Sequence, residues 1–437
     1  MSLPLSNDVL LLVGEYLEDH QDRYNLVFVC RRFHDLFLRL VYRSATLKSC
    51  AQTRSFLHAI LRKPELARSV RSVHFDDWQQ HHSFSSTSSS EQDMTSLNNW
   101  AETISHSHEE YVKWEQDLRQ GVEEAWIALL LPLVNNLRQL RLVYPKKNVY
   151  LDRMLQRVMK GEKPFDAQPA FSMLQEVSLS HQDSEEDTKG SYMPSQILPF
   201  FQLPSMRTFS ADSVIESSPP QDDEHISTPK APVARSSLIS EITLNSSNGS
   251  QGMENLIASC SSLKSFKYQH SDSHLLAEGF QPSAFYRSLA GINETHDEWF
   301  GSLADFIALE DIRIRLPNLL DIRYQPEPST VLTDILPPSV KSLYVEGCKE
   351  NTLGMLIGQL KMVLNKRQTR FSGLRRLDIE GFFHDEEDED ASGYQESAAT
   401  TGGQKTIKPR VYEMAEPLRA ACAEAGIELF LRDRVVS

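Results

Sequence analysis

Apolar positions along this chain follow two rhythms in turn. Over residues 3–42 they come at helical spacing. Val9, Leu10, Val13, Tyr16 and Leu17 recur at i, i+3/i+4 and i+7/i+8, so one face of a first helix is apolar. Ser6, Asn7 and Asp8 stand ahead of it with N-cap residue types and an acid suited to the positive end of a helix dipole. The polar stretch Glu18–Arg23 interrupts the pattern. A second helix is then expected to carry Leu26, Val29, Cys30 and Phe33 on one face, and a short third segment carries Leu36, Phe37, Leu40 and Val41.

From about residue 52 the rhythm changes. A helix at 52–62 (Phe56, Leu57, Ile60, Leu61) stops at Pro64, and Val70–Phe75 alternates like a strand. The same phrase, apolar-x-x-apolar-x-apolar, returns at Leu137–Leu142, Leu174–Leu179, Met206–Ala211, Ile239–Leu244, Leu263–Tyr268, Leu319–Tyr324, Val340–Val345 and Leu374–Ile379. Ile427–Leu431 reads as a terminal strand. Amphipathic helices are expected between the copies at Tyr111–Leu131, Met253–Cys260, Thr352–Leu364 and Val411–Glu424. A strand and a helix, repeated, with no unit able to bury its apolar face alone, predict an α/β solenoid. Parallel strands line its concave face and helices its convex face.

The copies are irregularly spaced because polar insertions separate them. Segments near 83–96, 181–190, 216–237 and 384–408 are rich in Ser, Thr, Pro or acids and hold too little apolar surface to offset the entropy of ordering, so disorder is expected there. The run Asp385–Asp390 is wholly acidic. The formal charge of −15 argues against a protein built to bind nucleic acid. The richest apolar stretch, Ala125–Val134, is interrupted by Pro132, so no membrane span is expected. The start Met1-Ser2-Leu3-Pro4 has neither the basic beginning of a signal peptide nor a myristoylation glycine.

Chemistry-bearing motifs are sparse. Five scattered cysteines (Cys30, Cys50, Cys260, Cys348, Cys422) form no CxxC pair and suit buried thiols in a reducing compartment, cytoplasm or nucleus. His81-His82 and His106-Ser107-His108-Glu109-Glu110 lack the helical ligand spacing of a metal site and read as solvated loop residues. No P-loop, GxGxxG or GxSxG occurs. Neither an enzyme nor a bound metal or cofactor is expected.

Two blocks near the N-terminus carry a family resemblance. Leu3 through Leu17 (LPLSNDVLLLVGEYL) resembles the first half of an F-box, although its Leu-Pro pair stands two residues early. Leu26 through Leu36 (LVFVCRRFHDL) resembles the second half, and Tyr42-Arg43 the pair that often closes it. Phe56 through Val73 is similar to the helix-to-strand passage of fungal F-box proteins with degenerate leucine-rich repeats. The resemblance implies an F-box over residues 1–47 and a leucine-rich-repeat-like solenoid over 48–437. It also implies binding to a Skp-family adaptor, and through it to cullin and RING subunits, while the repeats hold an unknown target for ubiquitination.

The adaptor contact is then expected from Leu10, Val13, Leu17, Leu26 and Val29. Spacing alone leaves open which of these form the module's own core. Target contact is expected from the x positions of the strands, which face away from the core: Gln139, Arg141, Glu176, Thr243, Lys267, Asp321, Arg323, Tyr344, Arg376 and Asp378.

Overall fold

The computed structural model describes residues 5–17, 19–76, 91–144, 149–166, 170–181, 194–214, 236–247, 256–270, 299–322, 327–383 and 407–434. The chain divides into two compact units, Met1–Asp212 and Ser213–Ser437.

The first unit opens with three helices, α1 Asn7–Tyr16, α2 His20–Leu26 and α3 Arg31–Val41. The Ser6 side chain caps α1 by accepting from the Val9 N–H, and Asp19 caps α2 by accepting from Gln21 N–H at 2.8 Å. Leu10, Val27 and Phe37 form the module's small core, with Leu26, Phe33, Leu36, Leu38, Leu40 and Val41 packed around them. Gly14 lets α1 and α3 approach closely: a Cβ there would come within 2.5 Å of the Phe37 ring. Arg32 ties the start of the chain to α3 by donating to Leu5 O at 2.6 Å and to Asn7 Oδ1.

Five strands follow in the first unit: β1 Ser44–Leu47, β2 Ser72–Phe75, β3 Gln139–Tyr144, β4 Glu176–His181 and β5 Thr208–Asp212. Each pairs in parallel with the next. Helices α4 Cys50–Arg62, α5 Pro64–Ala67, α6 Glu91–Ile104, α7 His108–Gln120, α8 Glu123–Leu130, α9 Val149–Lys160 and α10 Pro194–Phe201 lie between the strands. The second unit contains β6 Glu241–Ser247, β7 Ser265–His270, β8 Asp311–Arg315, β9 Ser342–Cys348, β10 Arg376–Gly381 and β11 Glu428–Asp433, again parallel neighbour to neighbour. Its long helices are Glu350–Asn365 and Pro409–Ala425.

The repeated phrase explains the register. Its three apolar residues point inward and are buried in copy after copy, as Val70, Val73 and Phe75, then Leu137, Leu140 and Leu142, then Leu174, Val177 and Leu179. Burying each such side chain is worth roughly 1.5–3 kcal/mol. A backbone ladder runs beside them. Arg71 O accepts from both Arg138 N and Gln139 N, Arg138 O from Gln175 N and Glu176 N, and Lys341 O from Arg375 N and Arg376 N. One carbonyl per repeat thus takes two donors of the next, and a slipped copy would leave these groups unpaired. The architecture is the expected α/β one: N-terminal helices, then a repeating parallel sheet flanked by helices.

Several expectations need correction. Leu26–Phe33 is not one helix: α2 ends at Leu26, and a turn leads to Cys30, which is the exposed N-cap residue of α3 rather than a buried thiol. The repeat sheet already begins at Ser44, within the stretch assigned to the F-box. The segment Tyr111–Leu131 is broken at Gly121, whose φ of 74° ends α7. The strand expected at Leu319–Tyr324 is displaced. Leu316–Leu319 is a helical turn, and the true copy is Leu309-Glu-Asp-Ile-Arg-Ile314, which contains β8. The insertion placed at 83–96 is helical from Glu91, because Leu97, Ala101 and Ile104 put a buried apolar face on α6. Ser237, expected in an insertion, is buried and bridged to Cys260, and Lys408 N–H donates to Phe383 O. His181, expected to open an insertion, closes β4, and Ser236 and Ile407 are also described. The rest of the four insertions, including Asp385–Asp390, lies outside the described residues, as do residues 81–82 and Arg323.

Candidate functional site

Two surfaces stand apart from the repeated core. The first is on the N-terminal helices. A module of this size has few inward positions, and among its described residues Leu10, Val27 and Phe37 are the buried large apolar side chains. Leu5, Val9, Leu12 and Val13 at α1, and Tyr24, Phe28 and Val29 at α2 and the turn after it, are left exposed, with Tyr16 at 79%, Phe28 at 68% and Val29 at 63%. The five residues expected at an adaptor contact therefore separate. Val13 and Val29 face solvent and Leu17 is partly covered. Leu26 packs against the module's core, and Leu10, 8% exposed, belongs to it. Exposed Tyr24, Phe28 and Leu12 were not singled out by spacing, and Val9 and Tyr16, read on the apolar face, were not assigned to the contact, because a period of 3.6 finds an apolar face without saying what covers it.

The second surface is the strand face of the repeats, where the x positions line up in rows. In the first unit the two rows are Ser44, Ser72, Gln139, Glu176, Thr208 and Thr46, His74, Arg141, Ser178, Ser210. Contacts along them are short-range and polar. Ser72 donates to Gln139, Gln139 Nε2 to Glu176 at 2.6 Å, and Arg141 stands 3.8 Å from Glu176.

In the second unit the corresponding rows hold Glu241, Ser265, Asp311, Ser342, Arg376, Glu428 and Thr243, Lys267, Arg313, Tyr344, Asp378, Phe430. Over β8–β11 they condense into one cluster. Asp378, 1% exposed, accepts from Arg376 Nε at 2.6 Å and Nη2 at 3.2 Å and from Arg432 Nε at 2.9 Å. Arg376 lies over the Phe430 ring at 4.7 Å, and Arg432 over Phe430 at 5.5 Å and Tyr344 at 5.9 Å. Arg313 covers the other ring, 4.5 Å from the Tyr344 centroid, and reaches fully buried Glu346 at 3.2 Å. The Tyr344 hydroxyl donates to Glu380. A side chain at position 347 would crowd Arg315, and Gly347 adopts a φ of 71°, so only glycine suits that bulge in β9.

The electrostatics follow from this packing. Burial works to raise the Asp378 carboxyl, but the hydrogen bonds and charges of Arg376 and Arg432 outweigh it and hold the group below its ordinary value. Glu346 goes the other way: burial raises it, with a smaller push from Glu380, and the guanidiniums of Arg313 and Arg434 do not compensate. Its Oε1 has no hydrogen-bond partner. Burial, with the bond to Glu380, also raises the Tyr344 phenol.

Of the residues expected to face a target, the cluster unites Tyr344, Arg376 and Asp378, although Asp378 lies beneath the arginines and not at the surface. Lys267 is exposed on β7, next to Arg313 in register, and Thr243 is half-buried on β6. Asp321 lies past the displaced strand, where it accepts from Ser329 Oγ at 3.1 Å. Arg313, Glu346, Phe430 and Arg432 were missed. Arg313 was hidden by the misplaced strand, and Glu346 stands on β9 just past the phrase Val340–Val345. The last two sit on a terminal strand whose x positions were not read.

Elsewhere the titratable clusters brace helices. Glu110 accepts both Arg157 Nη2 contacts at 2.8 Å, Arg153 at 3.1 Å and the His106 N–H at 2.7 Å, while the His106 ring contacts Lys163 O. Buried Glu124 on α8 accepts from Leu151 N–H at the start of α9, and burial pushes its carboxyl up to about 7. Cys260, Cys348 and Cys422 are buried, and burial raises each thiol, Cys260 to about 12 and Cys422 to about 11. Among the described residues no helix is long and apolar enough to cross a membrane.

Compared with known families, the chain matches a leucine-rich repeat domain over residues 44–295 and 290–382, the first match starting at β1. No curated protein matches it.

Proposed function

We propose, for a chain that belongs to the leucine-rich repeat domain family, that it is the substrate-recognition subunit of an SCF-type E3 ubiquitin ligase. The N-terminal helices dock a Skp-family adaptor, which brings cullin and RING subunits, and the repeats hold the target. Leucine-rich repeat domains are typically non-catalytic scaffolds, and this role requires no bond chemistry of the chain. It works by raising local concentration and fixing orientation.

The observation that carries the reading is the exposed apolar set Leu5, Val9, Leu12, Val13, Tyr16, Phe28 and Val29 on a small helical module whose sequence blocks resemble an F-box. Seven large apolar side chains on so small a module are more than scattered surface exposure and suit a protein partner. Leu10 and Leu26 hold the module together in this reading. The contact is made by Val13 and Val29, with Leu17 at the edge and Tyr16 and Phe28 added.

The test is co-purification from cells in the reducing compartments, cytoplasm or nucleus, where the chain is placed by this reading. Wild type is expected to bring down adaptor and cullin together, and Val13→Asp/Phe28→Asp to lose both while keeping its fold, since both side chains are already in solvent. Adaptor without cullin would instead support the second reading, a scaffold that uses the adaptor for assembly and ubiquitinates nothing. Retention of both by the double variant would remove this face from the contact.

A further inference from the structure

The fold does not require the cluster on β8–β11. In the first unit the row equivalent to Asp378 is Thr46, His74, Arg141, Ser178 and Ser210; it holds no carboxylate, and the sheet pairs there without one. In the second unit that row holds Asp378, and Glu346 stands two residues past Tyr344 on β9; both carboxylates are enclosed, at 1% and 0% exposure. Enclosing carboxylates is costly, and well-packed apolar residues usually serve stability as well. What the buried acids do achieve is geometric. Asp378 pins Arg376 and Arg432, Glu346 pins Arg313, and the rings of Tyr344 and Phe430 back the guanidinium planes.

The three guanidiniums are fixed but not covered. Their side chains remain 43%, 43% and 33% exposed for Arg376, Arg432 and Arg313. Asp378 engages only Nε of Arg432, so the four terminal N–H groups of that fork are left for another acceptor. Fixing an arginine in advance removes much of the ordering cost that binding would otherwise carry. Exposed Lys267 extends the positive row by one strand beyond Arg313.

We propose that this face is an acidic-peptide site: Arg313, Arg376 and Arg432, pinned from below and backed by Tyr344 and Phe430, receive the carboxylates of an Asp/Glu-rich segment of the target, with Lys267 at one end. The cations sit on β7, β8, β10 and β11, and adjacent strands are about 4.8 Å apart. Lys267 and Arg313 share a row, while Arg376 and Arg432, one on either side of it, meet at Asp378; cations spread over five strands suit successive carboxylates on an extended chain better than a single phosphate. The proposal deepens the target-binding role and rests on it for the identity of the ligand as a target. Peptide capture itself needs no adaptor.

The experiment is fluorescence anisotropy with the purified full-length chain and three fluorescein-labelled probes: a Glu-rich dodecapeptide, its Gln counterpart, and the Gln peptide with one phosphoserine. The Glu peptide is expected to bind, more weakly as salt rises, and the other two not. Arg432→Gln, which leaves Arg376 on Asp378, and Lys267→Glu, on an exposed side chain, should each weaken binding about tenfold. Should Arg432→Gln unfold, Lys267→Glu still decides. Undiminished binding by folded variants, capture of the Gln peptide, preference for the phosphoserine probe or no binding by wild type would each overturn the proposal. Binding that appears only after Asp385–Asp390 are replaced by Asn and Gln would make the chain's own acidic run the occupant and likewise overturn it. Adaptor pull-down by the same variants should stay at wild-type level, so failure here and failure of the ligase reading are separable.

Discussion

The strands of the two units repeat one backbone pattern and differ in what they place outward. In Met1–Asp212 the outward rows are largely Ser, Thr, Gln and single charges joined by polar contacts at or near the surface. In Ser213–Ser437 the same rows, over β8–β11, hold arginines stacked on aromatic rings above enclosed carboxylates. Both sheets hold their register by the same means, buried apolar residues and one doubly accepting carbonyl per repeat. The x positions are free of that duty, so their contents can be set by what the protein binds.

The strongest way to break the comparison is to remove both partners of Asp378. Arg376→Ala with Arg432→Ala strips Asp378 of both partners and should lower stability more than any single surface change in the first unit, measured by urea unfolding. Adding Asp378→Ala should restore much of it, since the stranded charge is gone. In the first unit Ser178→Ala should change stability by no more than about 0.5 kcal/mol. A comparable loss there would mean that the hydroxyl rows brace the fold as much as the arginine cluster does.

The next test uses pH, because Glu124 in the first unit and Asp378 in the second titrate with opposite sign. The Glu124 carboxyl is raised to about 7 in the folded chain. Its contribution to stability is fully present below the ordinary glutamate value and is lost as pH rises through about 7, an effect on the order of 3 kcal/mol. Asp378 is lowered, so its contribution is present above the ordinary aspartate value and is lost as pH falls through the folded one. Hydrogen exchange across a pH series should show the amides around Glu124 loosening from pH 5 to 8 and those around Asp378 loosening in acid, while Glu346, raised by burial, adds a loosening of β9 as pH rises. Glu124→Gln should flatten the first trend and leave the second.

The smallest effect is expected at the surface of the first unit. Arg141 and Glu176 are 3.8 Å apart and well exposed, so Arg141→Glu should shift stability by less than about 1 kcal/mol. It should also leave Glu-peptide binding unchanged in the anisotropy assay. A loss of binding equal to that of Arg432→Gln would erase the difference between the two faces.

The contrast also shows what the sequence made legible. Inward positions announce themselves, since Leu137, Leu140 and Leu142 have to be apolar at fixed spacing. The phrase is short enough to be mimicked, however. Leu319–Tyr324 carries the same Asp-Ile-Arg as the true copy at Leu309–Ile314, and only the packing of Leu316–Leu319 as a helical turn separates them. That single displacement concealed Arg313. Asp378 looked like any outward residue because burial beneath two arginines from different strands depends on pairing across more than fifty residues of sequence. In the N-terminal module the apolar face was visible, but its division into core (Leu10) and surface (Val13, Val29) depends on how α1, α2 and α3 pack.

The most direct measurement of the whole account is turnover of the target in cells lacking this chain, identified as the protein that accumulates on deletion and cleared again by wild type. Val13→Asp/Phe28→Asp and Arg432→Gln/Lys267→Glu should each fail to restore clearance, the first for want of adaptor and the second for want of target, while Arg141→Glu restores it. Clearance restored by both double variants, or lost only with Arg141→Glu, would contradict the account.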